Sequence, residues 1–117
     1  MKNFKDFTLQ EYVDVLAKKE PVPGGGSAAA LTACCAAGLL AMVANYSVGK
    51  TANRKIERRL AALIKRCYQY RDRFLELVDL DAKAYLEVVK TKKLGAKEHS
   101  KAQRNASKIP QELAKLC

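Results

Sequence analysis

The chain has 117 residues, which allows one small domain with one core. Hydrophobic residues make up 49% and charged residues 29%, a globular balance that excludes disorder. Lys and Arg number 22 against 12 Asp and Glu, for a net charge of +10, which invites acidic partners: nucleic acid, anionic lipid or a polyanionic small molecule.

The single His and the absence of Trp exclude catalysis by a His pair, or zinc held by several His, within one chain. The four cysteines, Cys34, Cys35, Cys67 and Cys117, form no CxxC, so neither a thioredoxin motif nor a zinc ribbon is expected. Adjacent cysteines in an Ala-rich run read as small buried hydrophobes in a reducing compartment, which places the chain in the cytoplasm. Residues 1–6 are polar and show no secretory h-region.

The first helix opens on a T-x-x-E capping box, Thr8 and Glu11, with Phe7 and Tyr12 placed as a hydrophobic staple. Leu9, Tyr12, Val13 and Leu16 form its apolar stripe, and it is expected to end near Lys19, before Pro21. Pro21-Val22-Pro23-Gly24-Gly25-Gly26 is the strong break in the chain. A second helix is expected from Ser27, as N-cap, to about Tyr46. Residues 24–47 carry no charge, so this helix is expected to be buried on nearly every side. Its small side chains favour a soluble core helix over a membrane span, although its length would suffice for one.

A long third helix is predicted from about Ala52 to Lys92. Ile56, Leu60, Leu63, Cys67, Tyr70, Phe74, Leu77, Asp81, Ala84 and Val88 follow a 4-3-4-3 seam. Gly95 ends the pattern, and a fourth helix follows from about Lys97 to Cys117, interrupted or kinked at Pro110. No segment reads as a strand. The expected fold is all-α, an antiparallel bundle with one long central helix.

Several constellations could carry chemistry. Pro23-Gly24-Gly25-Gly26-Ser27 opens a helix, where free N–H groups and the dipole favour an anion and glycine allows close approach. Its plain alternative is a flexible turn with a Ser cap. Gly49-Lys50-Thr51 has the ending of a Walker A loop, but Ala44 stands where the first Gly belongs and the preceding segment is helical, so a P-loop is excluded. Gly49 reads as a helix stop, and Lys50 remains able to reach a ligand.

Asp81 falls on the apolar seam. A carboxylate there is costly unless paired or functional, and burial would raise its pKa as general acid–base chemistry requires. An ion pair with a neighbouring helix would also account for it. Asp79 lies off the seam and is expected in solvent. The basic run Lys50–Arg73 reads as a solvated face or as a footprint for a polyanion, and its two tyrosines are few for base stacking.

The string Pro21-Val22-Pro23-Gly24-Gly25-Gly26-Ser27-Ala28-Ala29-Ala30-Leu31 resembles the N-terminal signature of the formiminotetrahydrofolate cyclodeaminase and methenyltetrahydrofolate cyclohydrolase family. The capped helix around Phe7–Tyr12, the Gly49-Lys50 segment, the acidic stretch Leu77–Tyr85 and Ile109-Pro110 resemble the segments that accompany it. The resemblance covers essentially residues 1–117, read as the N-terminal portion of one cyclodeaminase/cyclohydrolase-like helical domain. Family domains continue into further helices with an Asn- and Ser-Asp-rich stretch that has no counterpart here, so a truncated bundle is expected.

The resemblance implies an all-helical, homodimeric enzyme acting on a tetrahydrofolate derivative that can carry a polyglutamate tail, with no metal and no cofactor. Two reactions fit. One is cyclisation of 5-formiminotetrahydrofolate to 5,10-methenyltetrahydrofolate with ammonia release. The other is hydrolysis of 5,10-methenyltetrahydrofolate to 10-formyltetrahydrofolate. On this reading Asp81 and Lys50 are catalytic, and Pro23, Gly24, Gly25, Gly26 and Ser27 bind substrate. The rival from another class is a basic helical module that binds nucleic acid or an acidic partner without catalysis. A membrane-associated helical protein is the third reading.

Overall fold

The structure, a computed structural model, describes residues 2–117. Its described residues form a 3₁₀ turn, Phe4–Asp6, and four helices: α1 (Leu9–Leu16), α2 (Gly25–Ser47), α3 (Arg54–Thr91) and α4 (Ala96–Leu116). None of them is in a strand. The expected all-α architecture is observed, with the 38-residue α3 as its central element.

Contacts between α2 and α3 run in opposite order along the two helices. Gly26 meets Asp81, the Cys34 thiol donates to the Arg71 carbonyl at 3.4 Å, and Asn45 Nδ2 donates to Tyr68 Oη at 3.1 Å. The two helices are therefore antiparallel. The fourth helix packs back along the second half of α3, where Arg73 forms a two-pronged pair with Glu112 at 2.6 and 2.7 Å.

The core sits where the elements converge. Phe4, Tyr12, Val22, Phe74, Leu77 and Val78 are buried in one cluster. Fully burying a Leu or Val of this kind stabilises by about 1.5–3 kcal/mol. The rest of the molecule is a finger of two helices, formed by the C-terminal half of α2 and the N-terminal half of α3. It explains a radius of gyration of 18.0 Å and a longest dimension of 63 Å, against about 13–14 Å for a compact chain of this size.

Local signals place most element ends. Thr8 accepts from Glu11 N–H at 3.1 Å and Glu11 accepts from Thr8 N–H at 3.2 Å, so the capping box forms. The staple takes a different shape, because Phe7 and Tyr12 both pack edge-on against Phe4. The first helix ends at Leu16, before the expected Lys19. Gly49, at φ +80°, stops α2 as expected, and Asn53 caps α3 through its side chain.

Four expectations are corrected. The N-cap of α2 is Gly24, and Ser27 is the third residue inside the helix. Pro110 neither breaks α4 nor opens a new helix, since α4 is continuous through it. The second helix is buried on one face only, through Ser27, Ala30, Ala33, Ala37, Ala41 and Ala44. Small residues at this spacing let α3 approach closely but supply just one contact surface. Leu39, Leu40, Met42, Val43 and Tyr46 are exposed on the other side. By length and composition α2 could cross a membrane; here its Ala stripe lies against α3. Finally, the α3 seam is buried at Cys67, Phe74 and Leu77 and half-buried at Tyr70, Asp81, Ala84 and Val88, while Ile56 and Leu63 are open to solvent.

Asp79 departs furthest from expectation. It is 8% exposed rather than solvated. Its two carboxylate oxygens accept from Phe4 N–H at 2.6 Å and Lys5 N–H at 3.1 Å. The 3₁₀ turn folds back onto α3, and its backbone donors need a buried acceptor at that point.

Candidate active site

The Pro-Gly-Gly-Gly-Ser segment makes the first wall of the site. Val22 and Pro23 are buried and anchor the loop. The Ala28 N–H bonds back to the Gly24 carbonyl at 3.0 Å, so the N–H groups of Gly25, Gly26 and Ser27 precede the first helical hydrogen bond. Together with the helix dipole they favour negative charge.

Asp81, projecting from α3, supplies that charge. Its carboxyl lies directly against Gly26, where an added Cβ would collide with Asp81 Oδ1. Any larger residue at Gly26 would force the Asp81 carboxyl to move, so glycine is needed here for close approach rather than for backbone conformation. Burial pushes the Asp81 carboxyl above the ordinary carboxylate value, and the Ser27 backbone N–H draws it partly back. The group is half-buried at the edge of an open cleft.

That cleft has a volume of about 440 Å³ and is lined by Gly24, Gly25, Gly26, Asp81, Tyr85 and residues of α4. Its size suits a small-molecule ligand. One side offers backbone donors, and the other a carboxyl that can hold or release a proton. Behind it, Tyr12 Oη and Ser27 Oγ share a 2.8 Å hydrogen bond in the core. Burial raises the Tyr12 pKa, so this phenol stays neutral and serves as a structural tie.

The structure thus brings Gly24, Gly25, Gly26, Ser27 and Asp81 together, with Pro23 beneath them. Lys50 is elsewhere. It follows the far end of α2, about 35 Å away along a helix of this length, and lines a separate cleft with Tyr46 and Ile56. Within one chain Lys50 does not pair with Asp81. Tyr12, Tyr85, Ala106 and Pro110 were not identified as site residues from sequence. Tyr12 carried a usable signal, because a Tyr on an apolar stripe brings a hydroxyl that needs a buried partner. The contribution of α4 depends on packing distant in sequence and carried none.

Among the described residues no group of three or more His, Cys, Asp or Glu is placed to hold a metal ion. The four cysteines are all unbridged.

The fold is similar to that of the formiminotetrahydrofolate cyclodeaminase of Thermotoga maritima, with a TM-score of 0.91 and 25% identity. The match covers 96% of this chain and 57% of that one, so the chain spans a little over half of that protein's length. No curated protein sequence matches it significantly. Residues 8–117 match the formiminotransferase-cyclodeaminase family. With the glycine-rich helix start and its opposing carboxyl in place, the chain belongs to that family.

Proposed function

We propose that the site acts on a tetrahydrofolate derivative and carries out the cyclisation of 5-formiminotetrahydrofolate to 5,10-methenyltetrahydrofolate with release of ammonia. The observation that carries this reading is the Asp81 carboxyl, raised in pKa and set against the free N–H groups of the α2 start. In the reaction N10 attacks the formimino carbon, and a tetrahedral carbon forms between N5 and N10. The N10 proton must leave, and the amino group must gain a proton before departing as ammonia. Starting from the protonated formiminium, Asp81 takes the N10 proton and returns it to the leaving nitrogen, which departs as NH3 and leaves the methenyl cation, so the step balances with that one relayed proton. A carboxyl with a raised pKa suits both halves of that transfer.

The same tetrahedral carbon lies on the path of methenyltetrahydrofolate hydrolysis. We rank the cyclisation first because the similar structure is named a cyclodeaminase. The net charge of +10 favours a folate with a glutamate tail. Lys50 lies too far from Asp81 in one chain to join it in this step.

We also propose that a second copy covers the exposed apolar side of the helical finger, in a cytoplasmic homodimer. Leu39, Leu40, Met42, Val43 and Tyr46 on α2 and Ile56 and Leu63 on α3 give an apolar surface of the kind that marks an interface. Light scattering should show a dimer, and Leu40→Asp with Val43→Asp should give a monomer. A wild-type chain that is monomeric at micromolar concentration refutes the dimer.

The reaction is tested by supplying 5-formiminotetrahydrofolate and following methenyltetrahydrofolate absorbance together with ammonia. Asp81→Asn should lose about 100-fold or more in turnover, the scale of a lost general acid–base group. Unchanged turnover would remove Asp81 from the chemistry. Methenyltetrahydrofolate hydrolysis without ammonia release from the formimino compound would favour the hydrolase instead.

A further inference from the structure

Pro110 lies inside α4, fourteen residues after its start and well before its end. A proline there has no N–H, so the carbonyl four residues earlier, that of Ala106, lacks its regular helical donor. Interior prolines cost a helix about 3 kcal/mol. Among the described residues, no side chain or loop N–H replaces the missing donor at Ala106, whereas Ser107 Oγ donates to the Arg104 carbonyl, two residues earlier, at 2.8 Å.

The position of this break matters. Ala106 and Pro110 both line the cleft that holds Asp81 and the glycine-rich helix start. The stretch of α4 between them, where the missing hydrogen bond would run, therefore faces that cleft. A carbonyl deprived of its regular helical donor is tolerable there because a ligand or water can donate to it. The lining from α4 carries no charge, so the carbonyl is the acceptor that this helix contributes.

We propose that Pro110 is a specificity-determining residue: it frees the Ala106 carbonyl to accept a hydrogen bond from an N–H of the ligand. With the Gly25 and Gly26 N–H groups as donors opposite, the cleft then reads a ligand edge that presents both N–H donors and a carbonyl acceptor. An amino-oxo heterocycle such as the pterin ring has that edge. The inference rests on the folate reading above and names how this cleft would select it.

The test is Pro110→Ala in the full chain, which restores the N–H and closes the helical bond. Binding and stability are expected to move in opposite directions. Thermal unfolding should move up by several degrees. Affinity for 5-formyltetrahydrofolate, a stable analogue, measured by titration calorimetry, should fall about tenfold. If the wild type binds the analogue and Pro110→Ala binds it equally well, the inference is overturned and the folate reading stands. A melting temperature that falls in Pro110→Ala also overturns it, because the carbonyl was then already satisfied. If the wild type fails to bind the analogue, the folate reading is overturned and the inference goes with it.

Discussion

The contact between Gly26 and Asp81 gives the sharpest prediction, because a neighbouring glycine supplies its control. Gly25 and Gly26 are successive residues in the first turn of α2. Neither has a positive φ, the described glycine with one being Gly49. Replacing either by Ala gains helix propensity, up to about 1 kcal/mol. At Gly25 an added Cβ has open space, with nothing within 4 Å, so Gly25→Ala should be neutral or stabilising.

At Gly26 the same Cβ meets the Asp81 carboxyl group. The carboxyl must swing out into the cleft and give up the Ser27 N–H. A hydrogen bond to a charged group contributes about 1.5–3 kcal/mol. Gly26→Ala should therefore be less stable than Gly25→Ala by at most that amount, since the propensity gain cancels between them and the solvent regained by the buried carboxyl offsets part of the loss. At about 4 °C per kcal/mol for a domain of this size, the two variants should melt apart by up to roughly 6–12 °C. Denaturant unfolding at neutral pH, followed by circular dichroism, measures the difference. The reasoning is refuted if Gly26→Ala is as stable as Gly25→Ala.

Other consequences follow from the same geometry. The folded-state pKa of Asp81 is raised, so its protonated form is favoured in the fold, and that stabilisation is lost as pH rises through the folded value. Asp81→Asn should therefore be at least as stable as wild type at pH 7, with the advantage shrinking toward pH 3; an advantage that grows on acidification contradicts this. Asp79→Ala leaves the buried Phe4 N–H and the part-buried Lys5 N–H without their acceptor and should cost about 1–3 kcal/mol, with faster hydrogen exchange at Phe4 and Lys5. Exchange rates equal to wild type would show that the turn is held by other means. The Arg73–Glu112 pair has short bonds but is 39% and 36% exposed, so Glu112→Gln should cost about 1 kcal/mol or less and the loss should vanish at high salt. Arg73 holds the Glu112 carboxyl below its ordinary value, so the pair's contribution is present at neutral pH and disappears as the solution is acidified.

Much of the fold was readable from residue order. The capping box, the uncharged second helix, the Gly49 stop and the long third helix each rest on interactions within a few residues. The Gly-rich start and Asp81 were also legible, the first as a backbone anomaly and the second as a carboxylate on an apolar seam. What failed was whatever depended on a third element. Asp79 looked solvated because its partners are 74 and 75 residues away. Ser27 looked like a cap because its fold-determined partner, Tyr12, lies on another helix.

The sequence alone determined the all-helical class, the element order and the two halves of the site, since hydrophobic period, caps and glycine positions are local. Tertiary structure decided what those halves do to each other. It pressed a carboxyl against Gly26 and turned the section of α4 that holds Ala106 and Pro110 toward the cleft. Gly26 and Asp81 lie 55 residues apart and α4 joins them from still further along the chain, and no local preference encodes which surfaces will meet.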